Sequence, residues 1–118
     1  MSEEPKKMEV RRMPRISIPE TQANKISMAT EFTDISMLIG KAWFFRTVTF
    51  YQVGIVERRV DNFLILSNAS WVADTGRFAD MLKTGILAEV ELEGDCAMNI
   101  DHISDFFPWR HELPTKQK

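Results

Sequence analysis

The 118-residue chain has the length of one domain and leaves little room for a second. Its net charge of −2 lacks the basic excess that duplex-DNA binding draws on, and its single cysteine, Cys96, excludes an intramolecular disulfide. No apolar run approaches the roughly 18 residues of a membrane-spanning helix, while a 44% hydrophobic content with eight Phe and three Trp suits a compact core.

Charge is unevenly placed along the chain. Residues 1–30 carry six Lys/Arg against four Glu, and residues 31–118 carry nine Lys/Arg against thirteen Asp/Glu. A basic arm over residues 1–32 therefore precedes an acidic domain over 33–113, with a frayed tail at 114–118. The arm contains Pro5, Pro14 and Pro19 and no clean period, so it reads as flexible or extended. Arg15-Ile16-Ser17-Ile18 has the alternation of a short strand, provided a neighbouring subunit supplies an edge.

The domain opens on Thr33–Gly40, a helical turn with Thr33 or Asp34 as N-cap and Gly40 as terminator. Residues 41–49, rich in aromatic and β-branched side chains, predict a first strand. Residues 52–60 predict a second, with a bulge or bend at Gly54. Asp61-Asn62 is a turn, and Phe63–Ala69 a third strand. Residues 70–85 predict an insert that starts as loop and becomes a helix. Asp74 or Thr75 would cap it, Phe78, Met81 and Leu82 would form its apolar face, and Gly85 would end it. Residues 87–92 and 96–100 predict two last strands around a Gly94-Asp95 turn. Residues 104–109 form a closing segment that packs its aromatics on the barrel. The expected fold is mainly β, a small five-stranded barrel with a short N-terminal helical turn and a helix-bearing insert.

This order, with Phe63–Ala69 and the Leu92-Glu93-Gly94-Asp95 turn ahead of Ile100, resembles the Sm-like branch of SH3-type small barrels over about 70 residues. The resemblance implies a ring-forming protein that binds single-stranded RNA. Glu93 stands where that family usually has an Arg, and the 70–85 insert replaces a plain connection. A second resemblance, carried by Arg46-Thr47-Val48-Thr49 and Trp71–Phe78, is to small phage-encoded proteins. It implies an oligomer that sequesters nucleotide-derived immune signals, an anti-defence role in the host cytoplasm.

Catalytic constellations are poor. The two histidines, His102 and His111, lie late in the chain, no second cysteine is present, and no His-x-Glu or Gly-rich phosphate loop occurs. Asp101-His102 with Asp105 reads as a solvated loop rather than a metal site. No catalytic residue, metal or cofactor is expected. The richest segment holds Ser70, Trp71, Asp74, Thr75 and Arg77: a stacking surface, hydroxyls, a carboxylate and a guanidinium within eight residues. A base could stack on Trp71 while Arg77 and Arg46 grip phosphate. The alternative is structural, with Trp71 anchoring the insert and Asp74–Arg77 forming a local pair. Phe50, Tyr51 and Trp109 are candidate interface residues, because the aromatic content exceeds what about 80 residues usually hide. The sequence thus points to a cytoplasmic, non-enzymatic homo-oligomer with no membrane role. A nucleotide-type small molecule is its first candidate partner. Single-stranded RNA binding or a virion or assembly role are the alternatives.

Overall fold

The computed structural model describes residues 24–118. The expected arm strand at Arg15–Ile18, and most of the arm itself, lie outside the described residues. The structure is mainly β: strands β1 (Ala42–Thr47), β2 (Tyr51–Val60), β3 (Phe63–Asp74), β4 (Glu89–Asn99) and β5 (Ile103–Pro108), with helix α1 (Phe78–Thr84) between β3 and β4. All strand pairings are antiparallel, in the order β4-β3-β2-β1-β5.

The helical turn forms as 3-10 backbone over Ile35–Leu38. Asp34 caps it, accepting hydrogen bonds from the backbone N–H and hydroxyl of Ser36, which hold its carboxyl below the usual carboxylate range. The turn is tied to β1 by the Trp43 indole N–H, which donates to the Leu38 carbonyl at 2.9 Å.

The sheet carries two hydrophobic clusters because β1 is apolar on both faces. Ala42 and Phe44 point into one, with Val53, Val72, Met81, Val90, Trp109 and Leu113. Trp43 and Phe45 point into the other, with Leu38, Val56, Leu64, Leu66, Ala69 and Met98. Strand alternation alone would give each strand one face per cluster. Bulges break that rule. In β3 the register shifts between Leu66 and Ala69, where Asn68 has φ 49°, so Leu64 and Leu66 serve one cluster while Val72 serves the other. In β2 the shift falls at the expected Gly54 and again beyond Val56.

Four expectations are corrected. The sheet is not closed into a barrel: β4 and β5 are its two edges. The second cluster is instead covered by Ile26, Met28, Phe32 and Ile35, side chains from residues assigned to the arm and the helical turn, so burial is completed without a β4–β5 ladder. The insert is smaller than expected, because β3 runs on through Asp74 and residues 70–74 are strand. Gly94-Asp95 is not a hairpin turn. Gly94, with φ 75°, sits opposite Ala69 as a bulge within one eleven-residue β4, and the fifth strand is the aromatic segment Ile103–Pro108. The tail is not frayed, since Lys118 and Val90 exchange two backbone hydrogen bonds of 3.1 Å along the outer edge of β4. No helix among the described residues is long and apolar enough to cross a membrane.

Candidate functional site

The cross-strand register decides which of the sequence-predicted site residues can meet. One row runs Asp105–Arg46–Tyr51–Val72–Val90, and the next runs Phe106–Phe45–Gln52–Trp71–Glu91. Adjacent rows leave a sheet on opposite faces. Arg46 and Trp71 are thus separated by the sheet itself. The Arg46 guanidinium is engaged by Asp105 through two 2.8 Å hydrogen bonds across β1 and β5. Trp71 is half-buried, with the Phe50 ring edge-on at 5.1 Å, and its indole N–H finds no acceptor among the described residues. Ser70 is fully buried in the face opposite Trp71 and its hydroxyl is likewise unpartnered there.

The remaining members build a turn. Asp74 accepts from the Gly76 N–H at 2.8 Å, and the buried Thr75 donates its hydroxyl to the Gly76 carbonyl at 2.7 Å. Arg77, rather than Asp74 or Thr75, occupies the N-cap position of α1, with no side-chain cap bond. Arg77 is exposed. Of the α1 face, Met81 is fully buried while Phe78 and Leu82 are partly exposed. The structure therefore brings Asp74, Thr75 and Arg77 together but not with Ser70, Trp71 and Arg46 as one pocket.

The three aromatics expected at an interface also divide. Trp109 is 1% exposed in the single chain: it stacks on Phe44 at 5.5 Å and donates to the Glu112 carbonyl, which makes it a core residue. Tyr51 packs on Phe44, and Phe50 remains partly exposed at the β1–β2 turn.

Cys96 is half-buried on β4, close to Glu93 and accepting from the Gln52 amide at 3.2 Å. Burial, then the neighbouring Glu93 and Asp95 charges, push its thiol up to about 12. It is protonated at neutral pH, which is the reverse of an activated nucleophile. Native protein should be alkylated by iodoacetamide at pH 8 about thirty-fold or more slower than the urea-unfolded chain. Equal rates would contradict that thiol environment. The thiol's folded value lies above its unfolded one, so its contribution to stability is present below pH 9 and is lost as pH rises toward 12.

The feature that motif reading passed over is a cavity of about 710 Å³ between the end of α1, the start of β4 and the C-terminal segment. Lys83, Arg110, His111, Lys116 and Lys118 line it, against a single acid, Glu112. Four of the nine Lys/Arg of residues 31–118 thus converge on one place in an acidic domain. Ile86, Leu87, Val90, Leu113 and Pro114 supply apolar wall. Arg110 is already committed, donating to the Asn24 and Ile26 carbonyls at 2.9 Å, which leaves the three lysines as the available cations. His111 stands edge-on to Trp109 and its Nε2 lies 2.9 Å from the Leu82 carbonyl. Lys83 is far in sequence from Lys116 and Lys118, which lie in the segment assigned to the tail, so no local pattern marks the three as a group. Among the described residues, no group of three His, Cys, Asp or Glu is placed to hold a metal ion.

No family model matches this chain, and no curated protein matches it. Among solved structures, it is similar to a chain from the crystal structure of a heptameric archaeal Sm protein. The identity is 16% and the TM-score 0.45, over 62% of this chain and 91% of that one.

Proposed function

We propose that this protein is a non-enzymatic, self-associating binding protein that takes a phosphate-bearing, nucleotide-type ligand in the cavity beneath its C-terminal segment. The convergence of Lys83, Lys116 and Lys118 on that 710 Å³ space carries the reading. Its size falls within the roughly 300–1,000 Å³ of small-molecule sites. Clustered ammonium groups in a concave, partly apolar setting focus positive potential on an otherwise acidic surface. Ile86 and Pro114 give a base an apolar surface, while the lysines meet its phosphate.

The same phosphate chemistry is offered by a free nucleotide and by single-stranded RNA. Isothermal titration at low salt with mononucleotides, cyclic dinucleotides and a short oligouridylate separates the two. A small ligand saturates one site per chain. An RNA ligand gives length-dependent affinity with a steep slope of log K against log salt. The double variant Lys83→Glu/Lys116→Glu is expected to weaken binding at least tenfold without unfolding the chain, since neither side chain is buried. No heat with any of these ligands, from folded wild-type protein, overturns the proposal. A role in sequestering a nucleotide signal requires the small-ligand outcome, and an Sm-like role requires the RNA outcome.

A further inference from the structure

An open sheet edge presents a row of backbone donors and acceptors, which is a template for another strand. Here β4 is such an edge. Among the described residues its outer side is paired only at Val90, by Lys118. That contact demonstrates that the edge accepts extended backbone of this chain. Beyond it, Glu89, Glu91, Glu93 and Asp95 are exposed, and β4 contains no Lys or Arg. Leu92, on the face opposite its glutamate neighbours, is 40% exposed.

The complementary pattern stands in the part of the chain that precedes the described residues. Residues 10–18 carry Arg11, Arg12 and Arg15 and no acid, and Arg15-Ile16-Ser17-Ile18 alternates polar with apolar. Laid against β4, an extended Arg15–Ile18 puts Ile16 and Ile18 on the Leu92 side and Arg15 on the glutamate side. Period-2 alternation makes both matches hold in one register over Glu91–Glu93, ahead of the bulge at Gly94. Pro14 lacks an N–H and is tolerated at the start of an added edge strand.

We infer that residues 10–18 of a second copy add to the outer edge of β4 along Glu91–Glu93. A second copy is indicated by reach. Asn24 is anchored to β1 by its side-chain amide, which donates a hydrogen bond to the Ala42 carbonyl at 2.7 Å. A strand added outside β4 lies four strand spacings from β1, about 19 Å, while residues 18 to 24 span about 20 Å at full extension. That leaves little slack for a detour around either covered face of the sheet. This inference rests on the self-association in the proposed function. Its experiment reads assembly and edge protection, not ligand affinity, so the two fail separately.

The test uses full-length protein. Native mass spectrometry and amide exchange at low salt should find an oligomer in which residues 15–18 and Leu92 are protected together. Arg11→Glu/Arg12→Glu/Arg15→Glu should lower the association constant at least tenfold and release both protections. Glu89→Lys/Glu91→Lys should do the same. The two variants mixed should associate, because the reversed arm of one fits the reversed edge of the other. Three results overturn the inference: assembly indifferent to both variants, protection of residues 10–18 in a monomer, or protection of Leu92 without protection of residues 15–18.

Discussion

Phe44→Ala should leave the chain close to unfolded at 37 °C. Phe44 is fully buried on β1, its ring 5.0 Å from Phe107, 5.5 Å from Trp109 and 5.5 Å from Tyr51. Truncating a buried Phe to Ala costs about 3–5 kcal/mol, through lost transfer energy and the cavity left behind. Little of that cavity can collapse here, because Phe44 sits on a strand paired on both edges, with Val53 opposite it on β2 and Phe107 on β5. Small domains hold about 5–15 kcal/mol in total, and one of this size sits toward the low end. A fall in melting temperature of roughly 15–20 °C by calorimetry is the expected result. A fall of only a few degrees would mean that the aromatic cluster does not organise the core. Phe44→Leu, which keeps most of the volume, should recover more than half of the loss.

Gly85→Ala should damage both stability and the lysine-lined cavity. Gly85 closes α1 in a left-handed conformation, φ 76°, with its N–H bonded to the Met81 carbonyl at 2.8 Å. An L side chain there costs about 1–2 kcal/mol from backbone conformation alone. In addition, the new Cβ would lie 2.5 Å from both Cβ and Cγ of His111. The His111 Cβ is fixed to its backbone, so no rotamer change relieves the contact and residues 109–113 must shift. Overpacking of that kind adds about 1–3 kcal/mol. Gly94→Ala is the control. Gly94 has a similar φ of 75°, but nothing lies within 4 Å of the place its methyl group would take, so it should show the conformational cost only. Calorimetry should rank wild type above Gly94→Ala above Gly85→Ala. Nucleotide binding should weaken at least tenfold in Gly85→Ala alone, because Arg110, His111 and Leu113 line the cavity. Equal loss in the two variants would place the effect in the backbone rather than in the docking of the C-terminal segment.

Local chemistry accounts for much of what is legible in the sequence. The Asp34 cap, the Asp61 turn with φ 53° and the Gly85 terminator are each set by neighbours within four residues, and each appears where the sequence places it. The candidate site is a different matter. Ser70, Trp71 and Arg46 resemble a constellation because they are polar or aromatic and two of them adjoin. Whether they face one another depends on register, and register places Trp71 and Arg46 on opposite faces. The lysine-lined cavity is invisible in the sequence for the converse reason. Lys83 and Lys116 are 33 positions apart, and only the return of the chain to Val90 brings them together.

The same division holds for the strands. Composition and alternation determined that this is a mainly β chain with one short helix and a first strand apolar on both faces, since those depend on side-chain volume, branching and period. Only the tertiary structure decided where the strands begin and end. Ser70–Asp74 becomes strand because β2 and β4 offer partners on both sides of it, at Tyr51–Val53 and Glu89–Leu92. Gly94 becomes a bulge rather than a turn because Ala69 stands opposite it on a partner strand long enough to pair on either side. Closure of the sheet was decided in the same way. Side chains from residues 26–35 cover the second cluster, and the sheet keeps two edges instead of forming a barrel. Sequence patterns report which face a side chain prefers, whereas pairing partners are a property of distant segments, and no local period encodes them.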